Sequence, residues 1–484
     1  MKKYLSLLPF VALIALIYIC VSVFGTDALD GATQVSLLIA SAICVFVGYL
    51  MRRVEWAKLE QEMTDKIASC MPSIIILLLI GAIGGTWMIS GIVPSMIYYG
   101  VQVLRPEWFL VSSSLFCALV SVMVGSSWTT VATVGVALMG IGHAHGFGDG
   151  WIAGSIITGA YFGDKLSPLS DTTVLASSVS GTPLFTHIRY MTSTTLPTFL
   201  VSLAIFAIAG LLMDVPGSGE VAFLDELKDT FMISPWLLLV PVATGAMIAR
   251  RWPAMVVLFM AALMAAVVAA VWQPSLVAEI ARPEATADER TAVAIYEGVM
   301  KVIYAPTQLQ TGSATVDELV HTGGMAGMMP TVWLIICAQV FGGVVTATGV
   351  LRDLMSIVLR FVGGTTSLVA STAATGIFCN IALADQFLSI ILTSSVFKDV
   401  YHERGYETRL LSRTCEDGAT VTSVLVPWNT CGLVQSTVLG VATLTYLPYC
   451  FFNLLSPVTS VIVAATGWGI RRHAPNPSSA QTNA

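Results

Sequence analysis

Apolar runs alternate with short polar segments along almost the whole chain. Crossing the ~30 Å hydrocarbon core of a bilayer takes ~20 apolar helical residues. The pattern predicts membrane segments near Leu5–Phe24, Ala32–Leu50, Met71–Val93, Trp108–Val124, Trp128–Gly142, Trp151–Val179 and Thr194–Met213. It continues with Pro235–Ile248, Pro253–Trp272, Thr331–Leu351, Thr365–Asn380, Phe387–Val400, Gly418–Val441 and Thr445–Trp468. Two of these runs carry a polar break. In the first, Gly163-Asp164-Lys165-Leu166-Ser167-Pro168-Leu169-Ser170-Asp171-Thr172-Thr173 places two carboxylates, one ammonium and four hydroxyls at membrane depth. An ionised side chain there costs at least ~2.5–3.5 kcal/mol, so it must face protein or water, and by default it marks a transport path.

Composition narrows the class. The chain has 484 residues, 56% of them hydrophobic and 11% charged, with a mean hydropathy of +0.81. The charged share is under half the ~25% of soluble domains. The ~10-residue alternating segments of a β-barrel do not occur. The expected fold is therefore an all-α polytopic membrane protein of roughly ten to fourteen membrane segments, re-entrant hairpins at Trp108–Gly142 and Thr365–Val400 included. The net charge of −6 is spread over loops and does not point to nucleic acid. Nine cysteines are scattered without a CxxC pair and read as small packing hydrophobes. The first run follows Met1-Lys2-Lys3 and is too long for a signal-peptide core, so it reads as a span.

The two halves repeat. Gly84-Gly85 and Gly91 recur as Gly342-Gly343 and Gly349, 258 residues on (342 − 84, 349 − 91). That register sets Asp171-Thr172 over Asn429-Thr430, Asp164 over Thr422 and Ser127 over Asp385. It also brings the second break, Thr420–Gly432 with Pro427, onto the first. Seven segments separate the repeat starts at Met71 and Thr331. An odd number means that the repeats enter from opposite faces, the inverted-repeat plan of secondary transporters with paired discontinuous helices.

The expected organisation is an N-terminal helical hairpin with a cytoplasmic amphipathic segment (1–69), repeat one (70–213), connecting spans and an external loop (214–330), repeat two (331–469), and a disordered cytoplasmic tail (470–484). Met1–Lys3, Arg52/Arg53, His187/Arg189, Arg250/Arg251, Arg352, the Lys398–Arg413 loop and Arg471/Arg472 fall on one side. The Lys/Arg bias makes that side cytoplasmic, both termini with it.

Pro168 and Pro427 interrupt helices, freeing carbonyls and leaving half-helix ends that stabilise charge. A hard cation such as Na⁺ takes oxygen ligands. A carboxylate in a low-dielectric site also holds a proton more readily than in water, so one site can take H⁺ or a cation in turn. Asp164, Asp171 and Asp385 are the candidate titratable, cation-competing carboxylates. Ser127, Thr172, Thr422, Asn429 and Thr430 are candidate neutral oxygen ligands, with Na⁺ expected on Asp164, Asp171, Asp385 and Asn429. Lys165 and Asp417 are candidate charge partners. Each has a plainer reading: a cap for Asp171, an interfacial ion pair for Asp164 and Lys165, helix-packing hydroxyls for Ser126, Ser127, Thr129 and Thr130, and solvated loop charges for Glu416 and Asp417. His143 and His145 read as a wet external turn.

These motifs carry a resemblance. The 163–173 stretch with Phe185-Thr186-His187-Ile188-Arg189, Ala384-Asp385-Gln386, Leu411-Ser412-Arg413, Val426–Gly432 and Tyr449-Cys450-Phe451-Phe452-Asn453 resembles the NhaC family of Na⁺/H⁺ antiporters across both repeats. The resemblance implies a secondary transporter of the bacterial inner membrane that exports Na⁺ in exchange for H⁺ by alternating, elevator-like access. It implies no cofactor beyond the transported ions and leaves room for a homodimer. It also admits an organic-anion exchanger of the malate/lactate kind, in which Lys165 or Arg189 would meet a small carboxylate. A channel or a membrane-embedded enzyme is the remaining class, and no metal-ligand or nucleophile constellation supports an enzyme.

Overall fold

The structure is a computed structural model that describes residues 5–24, 31–51, 54–213, 220–250, 252–282, 292–307, 322–350 and 362–470. The basic residues Met1–Lys3, Arg52, Arg53, Arg251, Arg352, Arg471 and Arg472 lie outside the described residues, as does the tail beyond 470. Among the described residues the architecture is helical, and seven helices are long and apolar enough to cross a membrane. Two sharply bent pairs add up to two more. Large apolar side chains such as Leu200, Leu211, Val267 and Ile462 are exposed on outward faces, as a lipid-facing surface requires.

After the hairpin Leu8–Phe24 and Ala32–Leu50 comes one continuous 34-residue helix, Trp56–Ile89. The expected boundary at 69/70 therefore falls inside a helix. Pro72 does not interrupt it, and the amphipathic segment and the first span are a single rod. In the connecting region, expected to hold spans and an external loop (214–330), two described helices pack inward. Helix Pro274–Ala281 packs on Ala292–Tyr304, and Gly85 of the long helix lies directly against the Val302 backbone.

The repeat is visible in the caps, with one correction. Helices ending at Ile89 and Ala347 close on left-handed Gly91 and Gly349, 258 apart (349 − 91). From Pro106–Val124 and Thr365–Leu383 onward the offset is 259 (365 − 106). The left-handed ends Gly125/Ala384, Gly146/Gly405 and Gly181/Gly440 keep it, as do the caps Ser126/Asp385 and Ser170/Asn429. One extra residue between Gly349 and Thr365 causes the slip. Asp171 consequently overlies Thr430 rather than Asn429, Asp164 overlies Ser423 rather than Thr422, and Asp385 overlies Ser126 rather than Ser127. The two prolines follow the same register (427 − 168).

Packing supplies the orientation. Equivalent helices Trp56–Ile89 and Met329–Ala347 cross with Gly343 on the backbone of Met63 and Gly81 on Met328 and Gly324, so they run antiparallel. The short helix Asp171–Ser180 packs on Gln386–Glu403 of the other repeat. Its counterpart Thr430–Leu439 packs on the interrupted helix Ser127–Thr130, Val131–Gly135 and Val136–His145. Such reciprocal exchange is what a pseudo-two-fold between inverted repeats produces.

Candidate functional site

The helix Asp149–Leu166 ends at Ser167, the chain turns through Pro168, and Ser170 caps the next helix, Asp171–Ser180, accepting from Thr173 N–H. Pro168 cannot donate and disfavours helix before it. The break therefore sits where the sequence places it, with Asp164 one turn before the end and Asp171 in the first turn of the next helix.

Asp164 is 7% exposed. Its Oδ2 accepts from the Ser127 hydroxyl at 2.8 Å and from the Ser127 backbone N–H at 3.2 Å. That N–H opens the interrupted helix after the hairpin turn at Gly125, whose φ of 71° suits glycine. A Cβ there would also meet Leu169 of the break. Free N–H groups at a helix start favour an anion, so the hairpin tip and the break hold the carboxylate between them. Ser126, with Thr129 N–H on its Oγ, completes the tip.

Both carboxylates open onto one cavity of about 670 Å³. Its wall includes Ser126, Ser127, Trp128, Thr129, Asp164, Ser170, Asp171 and Thr172 from repeat one, and Gln386 and Phe387 from repeat two. Asp171 is exposed and Thr172, whose Oγ1 lies 2.9 Å from Ser170 Oγ, is buried. The opposite wall was not anticipated from the sequence. It comes from Ser69, Pro72 and Ser73 of the long helix and from Ile248, Trp252 and Val257 near the connecting spans. Ser69 and Ser73 share a helix face four residues apart, a spacing that was legible; nothing local marked Trp252.

The remaining candidates form a second polar locus around the second break. Asp385 is 7% exposed and caps Gln386–Glu403, its Oδ1 accepting from Leu388 N–H at 2.8 Å. The preceding Ala384 has φ 54°, and its carbonyl accepts from Thr430 N–H at 3.0 Å. Asn429 Oδ1 accepts from Cys431 N–H at 3.0 Å, while its Nδ2 donates to the Asn380 carbonyl at 3.2 Å. Asn380 Nδ2 in turn donates to Thr422 Oγ1 at 3.0 Å. Asp385, Asn429, Thr430 and Thr422 thus come together, but none lines the cavity; Gln386, next to Asp385, connects the two loci. Asn380 escaped notice because one amide in an apolar run has no signature of its own.

A third group is a buried charge cluster. Lys165 and Asp417 form a salt bridge between the repeats with both side chains fully buried. Thr194 donates to Asp417 Oδ1 at 3.3 Å, and Arg413 Nε lies 3.8 Å from its Oδ2. Arg413 and Glu416 are also 0% exposed. The reading of Glu416 and Asp417 as solvated loop charges, and of Arg413 as part of a basic loop, is therefore corrected. Arg413 lies in helix Thr408–Cys415 and Glu416 and Asp417 in the π-helical turn Glu416–Thr420, inside the protein. The i,i+4 spacing of Arg413 and Asp417 was the available signal. Of the two histidines read as wet, His143 pairs with Asp149 at 2.8 Å on the surface, whereas His145 is buried against Phe109. His187 is also buried, with Nδ1 2.8 Å from Ser412 Oγ, and Arg189 is exposed outside the cavity.

The chain is similar in sequence to known proteins over most of its length. The model of the Na⁺/H⁺ antiporter family matches residues 159–468. The chain is 36% identical to the Na⁺/H⁺ antiporter NhaC of Alkalihalophilus pseudofirmus over 437 residues, covering 90% of each chain. It is 33% identical to the arginine/ornithine antiporter ArcD of Halobacterium salinarum, over 96% of this chain and 92% of that one. It is 32% identical to the malate-2H⁺/Na⁺-lactate antiporter of Bacillus subtilis, over 91% of each. With its inverted repeat, paired broken helices and buried carboxylate, this multi-pass membrane protein belongs to the Na⁺/H⁺ antiporter (NhaC) family.

Proposed function

We propose that this protein is a transporter rather than an enzyme, exporting Na⁺ across the bacterial inner membrane in exchange for H⁺, with both termini in the cytoplasm and no resident cofactor. The observation that carries the reading is Asp164, buried, held at one oxygen by Ser127 and lining a cavity with Asp171. Ionised, Asp164 supplies the negative charge that a dehydrated Na⁺ requires, with Ser127, Thr172 and Asp171 as further oxygen ligands. Protonated, it is neutral, and the cation loses that partner. The two ions therefore exclude each other at Asp164, and a site that crosses only when it holds one of them exchanges one for the other.

The cavity lies between one wall from the long helix and the connecting spans and another from the breaks and hairpin tips. Sliding the second wall along the first would carry the site across the membrane, which supports elevator-like access. Asp385, Asn429, Thr430 and Thr422 are the matching oxygen set at the second break, joined to the cavity through Gln386. In an anion exchanger Lys165 or Arg189 would contact the substrate. Lys165 is engaged by Asp417, Arg189 is outside the cavity, and among the described residues no Lys, Arg or His lines it. The cation reading is thereby favoured.

Everted vesicles with an internal pH dye test it. Na⁺ should release the respiration-driven acidification, and Asp164→Asn or Asp171→Asn should abolish the response at normal protein levels in the membrane. A response that requires malate or lactate, or near-normal exchange in either variant, overturns the assignment.

A further inference from the structure

A dehydrated Na⁺ with a few oxygen ligands does not need the space available here. The cavity has a volume of about 670 Å³, within the range of small-molecule sites. Its wall is also not that of an ion site alone. Alongside Asp164 and Asp171 it presents three aromatic side chains from three parts of the chain: Trp128 of the first hairpin tip, Trp252 before the second connecting span, and Phe387 of the second hairpin tip. Trp252 is 45% and Phe387 36% exposed, and both line the cavity. Aromatic faces beside carboxylates recognise organic cations: the ring quadrupole attracts the charge, the faces cover the alkyl groups, and the carboxylates neutralise the whole. A small carboxylate would meet two like charges and, among the described residues, no cationic side chain in the wall.

We propose that this cavity also admits a small organic cation of the alkylammonium class, held by Asp164 and Asp171 against Trp128, Trp252 and Phe387. The proposal rests on the assignment of Asp164 and Asp171 as the ion site. Because the organic cation neutralises the carboxylates that hold Na⁺, the two compete, and it raises the apparent KM for Na⁺ without lowering the maximal rate. Trp252 offers an aromatic face and no oxygen ligand, so its removal bears on the organic cation more than on Na⁺.

The test uses the full chain in proteoliposomes with tetramethylammonium, which carries a fixed charge and no exchangeable proton. Tetramethylammonium should raise the KM for Na⁺ severalfold at constant maximal rate. Trp252→Leu should weaken that competition roughly two- to fivefold beyond any change it makes in the KM for Na⁺ measured without tetramethylammonium. Binding is read separately, as a rise in the melting temperature of the detergent-solubilised protein on adding tetramethylammonium, absent in Asp164→Asn. Intact Na⁺/H⁺ exchange with no competition and no thermal shift overturns the organic-cation site and leaves the ion site standing. Loss of Na⁺/H⁺ exchange in the wild type, with the thermal shift retained, overturns the antiporter assignment instead. A KM for Na⁺ that responds to lactate or malate and not to tetramethylammonium overturns the proposal.

Discussion

Replacing Lys165 by Met tests how the two repeats are joined. Lys165 ends the first half of one broken helix, and Asp417 sits in the π-helical turn of the opposite repeat. Both side chains are fully buried. Without the ammonium, Asp417 retains a Thr194 hydroxyl at 3.3 Å and the Arg413 guanidinium at 3.8 Å. Removing one partner of a buried pair costs ~3–5 kcal/mol, because the other charge is left uncompensated. Arg413 offsets part of that, so Lys165→Met is expected at the lower end, about a hundredfold in the folded-to-unfolded ratio at 1.4 kcal/mol per decade. Asp417→Asn strands two cations, Lys165 and Arg413, and is expected to cost more. Combining Lys165→Met with Asp417→Asn removes both charges of the pair, so the double variant should be more stable than Asp417→Asn alone. The assay is unfolding of the purified protein in mixed micelles with rising denaturing detergent, wild type, both singles and the double compared. Single variants as stable as wild type, or a double variant whose loss equals the sum of the singles, would refute the pairing. The same cycle read as transport shows whether the repeats move as one unit: rescue of stability should bring rescue of Na⁺-dependent H⁺ movement.

Other expectations follow from single contacts. Ser127→Ala keeps the backbone N–H but loses the 2.8 Å hydroxyl on Asp164; at ~1.5–3 kcal/mol for a bond to a charged group, the KM for Na⁺ in vesicles should rise by about tenfold or more. Gly163→Ala would push a Cβ to 2.3 Å from the Ala118 carbonyl where two helices touch, whereas Gly84 has open space; overpacking costs ~1–3 kcal/mol, so thermal melting should fall for Gly163→Ala and not for Gly84→Ala. Asn caps a helix as well as Asp, so Asp385→Asn isolates charge from capping; slower Na⁺-dependent H⁺ movement with unchanged melting is expected, and unchanged transport would limit Asp385 to its cap.

Several features were determined locally. The broken helices follow from Pro168 and Pro427, since a missing donor and a restricted preceding residue act within one turn. The spans follow from the apolar runs because lipid tolerates only helices with internally satisfied backbones. The repeat and its inversion were readable from glycines and from parity. The register within the repeat was only half readable: Gly84-Gly85 and Gly91 give 258 while Pro168 and Pro427 give 259, and the capped helix ends decide that 259 holds from Pro106 and Thr365 onward.

Tertiary structure decided what the polar residues are for. Asp164 and Ser127 were both legible as polar interruptions; their contact depends on a hairpin tip folding back onto a break 37 residues later. Arg413, Glu416 and Asp417 look like a solvated loop in sequence, since charge near a helix end is ordinarily wet. Folding buries all three, and Lys165 of the other repeat pairs with Asp417 there; the sequence offered Lys165 and Asp417 as charge partners, but their burial depends on how the two repeats pack. The far wall of the cavity, with Ser69, Ser73 and Trp252, depends on where the first long helix and the connecting spans pack. The chain by itself specified helices, breaks and the carboxylates within them; packing of the two repeats selected which carboxylate is held, which is paired, and how large a space they share.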